Sequence, residues 1–141
     1  MTRHEERIQI FTLLYEYTFY DGADADEFIS SREVLNEAEY SQFIKASFCG
    51  AVKCADEIDE VISRHAVGWK IKRMSKVTLS VLRLAVYELK YTDTSPKAVI
   101  NEAVEIAKEY DDEKAAPFVN GILNKVARTE GLIADPDNKD G

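Results

Sequence analysis

Glu102, Glu105 and Glu109 recur at spacings of three and four, which on a helix stacks three carboxylates along or near one face. A ladder of this kind could serve a metal site or a general acid–base pair if a histidine or a second carboxylate cluster joined it. No such group stands at ligand spacing, and three glutamates on the wet side of a helix are ordinarily a solvated face. The two histidines, His4 and His65, are scattered, and Cys49 and Cys54 are not at metal-ligand spacing, so no zinc site can be assembled from them. The expectation is a chain without metal, cofactor or catalysis, its thiols packed as small core residues in a reducing compartment.

The other chemistry open to these residues is recognition of phosphates and bases. A net charge of −8 argues against it at first, because phosphate neutralisation supplies most nonspecific affinity for nucleic acid. The charge is unevenly placed, however. Residues 21–60 hold eleven acids against three bases, whereas residues 61–90 hold Arg64, Lys70, Lys72, Arg73, Lys76, Arg83 and Lys90 against Glu88 alone. A basic band therefore interrupts an acidic shell, and such a protein needs a basic co-binder to complete a phosphate-tracking surface. Arg3 and Arg7 lie one turn apart with His4 beside them. Diluted by Glu5 and Glu6, they read from the residues alone as an exposed, solvated turn. Near the chain's end Phe118 could pack or stack on an unpaired base, and Asn120 could satisfy a buried carbonyl or read a base edge, while Gly121 is expected to let a neighbouring helix approach.

The element that must position all of these is VTLSVLRLAVYEL, Val77 to Leu89, which is apolar on nearly every side and must be surrounded by other helices. It is too short and too interrupted to span a bilayer, which takes about 20 apolar residues. Arg83 and Glu88 within it each require a partner. A first helix from about His4 to Tyr20 would bury Ile8, Phe11, Tyr15 and Phe19, with Ile10, Leu14 and Tyr17 widening that face. A short one follows around Glu27 to Leu35. Asn36-Glu37-Ala38-Glu39 resembles a capping box opening one long helix from Tyr40 that Gly68 closes, with Gly50 at a close helix approach. WKIKRM (69–74) is a compact connector, since no second strand exists to pair with it. Ser95-Pro96 starts a helix that runs to Tyr110, and Pro117 falls in the first turn of a last one ending near Arg128. The expected fold is all-α, with six to seven helices in two small subdomains around the central helix. Residues 1–131 would form one domain, and 132–141 an acidic, disordered tail.

Three blocks in order, LRLAVYEL (82–89), INEAVEIAKEY (100–110) and FVNGILNKVA (118–127), together with RIQIFTLLYEYTF (7–19), make the chain resemble the NusB family of bacterial transcription antitermination factors. The resemblance implies pairing with the small-subunit ribosomal protein that doubles as NusE and shared binding of single-stranded boxA RNA from ribosomal RNA operons. It also implies work alongside RNA polymerase and other Nus factors in the cytoplasm. By the same resemblance the N-terminal basic segment (Arg3, His4, Arg7), Tyr15, Phe118 and Asn120 would meet RNA at a last helix lying beside the first. Lys72, Arg73 and Lys76 would extend that surface or meet the partner. Two other readings stay open. One is a helical interaction module that pairs with a second copy. The other is service to a separate RNA methyltransferase, for this chain carries no glycine-rich cofactor loop after a strand.

Overall fold

The central helix, α5 (Lys76–Tyr91), touches every other helix except α2 extensively, and the chain is wound around it. The computed structural model describes residues 1–134; most of the expected acidic tail lies outside them. The N-terminal unit is α1 (Arg3–Tyr17), α2 (Ala25–Leu35) and α3 (Gln42–Lys53). The C-terminal unit is α4 (Ala55–His65), a 3-10 turn (Ile71–Arg73), α6 (Pro96–Tyr110) and α7 (Ala115–Thr129), with α5 shared between the two. No strand occurs among the described residues. Leu82 and Val86 of α5 are wholly inaccessible, and burying each such side chain is worth roughly 1.5–3 kcal/mol. Its buried polar groups are satisfied: Ser80 Oγ donates to the Lys76 carbonyl at 2.7 Å, and the Thr78 hydroxyl donates to Asp111. Arg83 finds Asp59 in a two-pronged pair at 2.8 Å per prong.

Four expectations need correcting. The long helix from Tyr40 is two helices, broken at Cys54 (φ −98°, ψ 15°), which ends α3 and begins α4. Lys53 in the last turn of α3 and Asp56 and Glu57 in the first turn of α4 complement the two helix dipoles, so the charges suit a stop and a restart. Gly68 lies beyond the helix end at His65, in a left-handed turn at φ +81°. Asn36 does not open α3 either. It ends α2, with Glu37 following in the left-handed region (φ 48°), and Ser41 caps α3 by accepting from the Ile44 N–H at 3.2 Å. On α1 Ile10, Phe11 and Leu14 are buried as expected and Leu13 joins them, but Ile8 and Tyr15 are only half-buried and Phe19 lies beyond the helix and exposed.

Gly50 behaves as expected. A Cβ there would fall 2.5 Å from the Tyr87 hydroxyl oxygen, so the tyrosine ring occupies the space that glycine leaves. Gly121 does not: it is exposed, and a Cβ added there would meet nothing within 4 Å. At the other end of α7, the Leu132 N–H donates to the Ala127 carbonyl at 2.8 Å across Gly131 (φ 72°), and Ile133 packs on the core.

Candidate nucleic-acid interface

α1 and α5 run antiparallel: Arg7 meets Glu88 near one end of α5, and Phe19, just past α1, meets Lys76 at the other. Twelve residues of helix separate these points, about 18 Å. The basic residues singled out from the sequence therefore fall into two groups at opposite ends of the central helix.

At the first end every base is engaged. Arg7 is 7% exposed, and its Nε donates to both Glu88 oxygens at 3.0 and 3.1 Å. Burial pushes the Glu88 carboxyl above its ordinary value even against the pull of Arg7. His4 Nδ1 lies 2.7 Å from Glu102 Oε2, and this hydrogen bond, with the charges of Glu102, Glu109 and Glu105, raises the imidazole above its ordinary value. Arg3 pairs with Glu6 at 3.3 Å and lays its guanidinium 3.8 Å from the centre of the Phe43 ring. The glutamate ladder thus does meet a histidine, one drawn in from 98 positions away. Among the described residues no three His, Cys, Asp or Glu side chains gather to hold a metal ion. Arg7, expected at the RNA surface, is buried with its charge paired to Glu88, which leaves it little surface to offer a ligand.

The second end is different. Lys72 and Arg73 stand exposed on the 3-10 turn, and Lys76 begins α5 with its ammonium 4.2 Å from the centre of the exposed Phe19 ring. Phe19 packs edge-on against Tyr15 at 5.4 Å. Phe118, half-buried on α7, meets the ring of Trp69 at 5.6 Å and 65°. Together they line a cleft of about 270 Å³ with Arg73, Lys114, Asp111 and Asp112. Lys70, Lys72, Arg73 and Lys114 make no ion pair within 4.0 Å among the described residues. Free cations beside exposed aromatic rings are what a single strand needs: charge for its phosphates and faces for its bases.

Asn120 is exposed, and its side-chain oxygen and carbonyl accept from Asn124 at 3.1 and 2.8 Å. Two residues along α7 turn it about 200° from Phe118, so the two do not address one ligand from the same side. α7 packs on α4, α5 and α6 rather than lying against α1, another departure from expectation. Trp69, Phe19 and Lys114 are not among the RNA-facing residues expected from the sequence, which places Phe19 in the core instead. The signal for Trp69 was its place among lysines in WKIKRM, which the connector reading absorbed. The cysteines are free and half-buried, and burial with a bond to Asp26 at 3.3 Å pushes the Cys49 thiol up to about 11, so it is no nucleophile at neutral pH. Among the described residues no helix is long and apolar enough to cross a membrane.

A family model described as the NusB family matches residues 4–128. A transcription antitermination protein NusB from Agathobacter rectalis is 39% identical over 134 residues, covering 90% of this chain and all of the relative. Among solved structures, T. maritima NusB superposes with a TM-score of 0.79 at 34% identity, covering 91% of this chain and 92% of that one. NusB in a crystal structure of the antitermination factors NusB and NusE in complex with dsRNA superposes with a TM-score of 0.77 at 29% identity, covering 92% and 99%.

Proposed function

The chain belongs to the NusB family, and from that premise we propose that it is a transcription antitermination factor that binds boxA-type single-stranded RNA together with the NusE ribosomal protein. In this role the pair joins RNA polymerase and other Nus factors on ribosomal RNA operons and suppresses premature termination, work that needs no catalysis. The observation that carries the RNA assignment is that the second end presents two aromatic pairs with cations that make no ion pair among the described residues: Trp69 and Phe118 in a cleft with Arg73 and Lys114, and Tyr15 and Phe19 beside Lys76, with Lys72 exposed on the adjoining turn. Those residues are the proposed RNA surface. His4 and Arg3 have their charges offset by Glu102 and Glu6 and contribute less, and Asn120 lies at the margin. A net charge of −8 supports a requirement for the basic partner, since a small cationic patch alone holds few phosphates against the field of the whole protein.

The test is fluorescence anisotropy of a labelled boxA-type RNA against this protein, against the NusE homologue of its own organism, and against both, across a salt series. Tight binding by the mixture alone, weakening as salt rises, is expected. Lys72→Glu with Lys76→Glu should abolish it, and Arg3→Glu should reduce it only slightly. Failure of the folded mixture to bind would sink the RNA assignment.

A further inference from the structure

Trp69 and Phe19 are two large aromatics that stand exposed at the second end, and of the two only Trp69 lines a cleft. It is the chain's single tryptophan, it is 55% exposed, and it sits in a turn between two helices where any residue would serve to connect them. Its one aromatic neighbour is Phe118, and both face the same cleft. That cleft, about 270 Å³, is roomy enough to admit a planar base. The two rings, 5.6 Å apart at 65°, cannot sandwich a base between them, because two carbon contacts need about 7 Å. A base can instead lie flat on the open indole face with the phenyl ring closing one side.

The charges decide which part of a nucleotide enters. The floor of the cleft is acidic and already committed. Asp111 accepts from the Ser75 hydroxyl at 3.0 Å, from the Thr78 hydroxyl, and from the Asp112 N–H at 2.8 Å, while Asp112 accepts from the N–H groups of Lys114 and Ala115 at 3.0 and 3.2 Å. Two carboxylates there repel a phosphate but tolerate a neutral base. Arg73 and Lys114, unpaired, also line the cleft and are suited to hold the phosphates on either side. The hydrogen bonds of Asp111 also tie the α6–α7 connection to the start of α5, which holds the Phe118 side of the cleft against the Ser75 side.

We propose that Trp69 and Phe118 form a receptor for one unpaired base of the bound RNA, with Arg73 and Lys114 holding its flanking phosphates. This rests on the RNA assignment above and adds the site, its occupant and the residue that stacks. Trp69 supplies the stacking that fixes which position of the strand sits in the cleft, and the basic band around it supplies affinity for the phosphates.

Because the chain has one tryptophan, its fluorescence reports on this site alone. The experiment titrates the protein, with a NusE homologue whose tryptophans are replaced by phenylalanine, with labelled boxA-type RNA, following RNA anisotropy and tryptophan emission together. Quenching that tracks the anisotropy is expected, as is loss of quenching when one position of the RNA, and only one, is made abasic. Trp69→Ala should weaken binding about 5- to 150-fold, the equivalent of one base stack, with Trp69→Phe much closer to the parent. Thermal unfolding of both variants should match the parent, since the side chain is half in water. RNA binding with unchanged emission and parental affinity in Trp69→Ala would overturn the receptor and leave the RNA assignment standing. Loss of NusE capture rather than RNA affinity in Trp69→Ala would make the cleft a protein contact and overturn it equally. Absence of RNA binding by the parent mixture would remove the assignment and the receptor together.

Discussion

Deleting Arg7 while leaving Glu88 isolates what holds the first end of the core together. Arg7 is 7% exposed and Glu88 2%, and the guanidinium reaches both carboxylate oxygens at 3.0 and 3.1 Å. Two unit charges about 4 Å apart attract by about 4 kcal/mol at an effective dielectric constant of about 20. Removing one partner of a buried pair costs about 3–5 kcal/mol, because the other charge stays in the core alone. Arg7→Met keeps the apolar stem and loses the charge, so its unfolding free energy in urea at pH 7 should fall by about that amount. In a chain of 141 residues the melting temperature should drop by roughly 10–20 °C. The pH dependence has a definite sign. Burial raises the folded Glu88 carboxyl above its ordinary 4.5, so the native state holds this proton more tightly than the unfolded chain does. Its contribution to stability is therefore present below 4.5 and is lost as pH rises through the folded value. Without Arg7 the folded value climbs further and that window widens upward. The deficit of Arg7→Met relative to the parent should be smallest near about pH 4 and grow toward neutrality. Arg7→Met with Glu88→Leu removes both charges and should recover most of the loss. A single variant within about 1 kcal/mol of the parent at pH 7, or a double variant weaker than the single, would refute the account.

Two glycines on helices should respond in opposite directions. Gly121→Ala meets open space on an exposed helix and should stabilise by about 0.5–1 kcal/mol in urea unfolding. Gly50→Ala drives a Cβ to 2.5–2.7 Å from the Tyr87 ring, which stacks on Tyr91. The crowding should outweigh the gain in helix propensity and leave the protein about 1–2 kcal/mol weaker, with Tyr87→Val restoring it. His4 should titrate above 6.5 by NMR and return toward that value in Glu102→Gln. As a raised base, it contributes stability present below 6.5 that disappears as pH rises through the folded value.

The architecture was legible wherever a signal was local. A helix apolar all round has to be central, and α5 is. Serine before proline starts a helix, and Ser95 caps α6. Where the signal depended on packing, the sequence misled. The α3–α4 break has no proline at Cys54 and no side-chain cap, so hydrophobic periodicity ran straight through it. Only the switch from Lys53 to Asp56 and Glu57 marked a helix end, and such a switch also suits an exposed helix surface. Asn36 and Ser41 are both good caps within six residues. The choice between them turned on whether Glu37 would accept a left-handed backbone, a conformation that costs a non-glycine residue roughly 1–2 kcal/mol and which the sequence gives no reason to expect.

The candidate surface was legible in its composition but not in its partition. Lys72, Arg73, Lys76, Tyr15 and Phe118 were all identifiable as a band of bases and a few aromatics, and the fold does gather them at one end of α5. What no linear reading could show is that Arg7 and Glu88, 81 residues apart, cancel each other in the core, or that His4 and Glu102 meet across 98. Both pairings follow from the antiparallel course of α1 along α5 and the packing of α6 beside it. They also change which substitution can test RNA binding. Arg7→Glu would set a second carboxylate against Glu88 at full burial, so lost RNA affinity in that variant would report an unfolded protein. Lys72→Glu with Lys76→Glu alters exposed ammonium groups that make no ion pair among the described residues, and a loss of affinity there is a loss of contact.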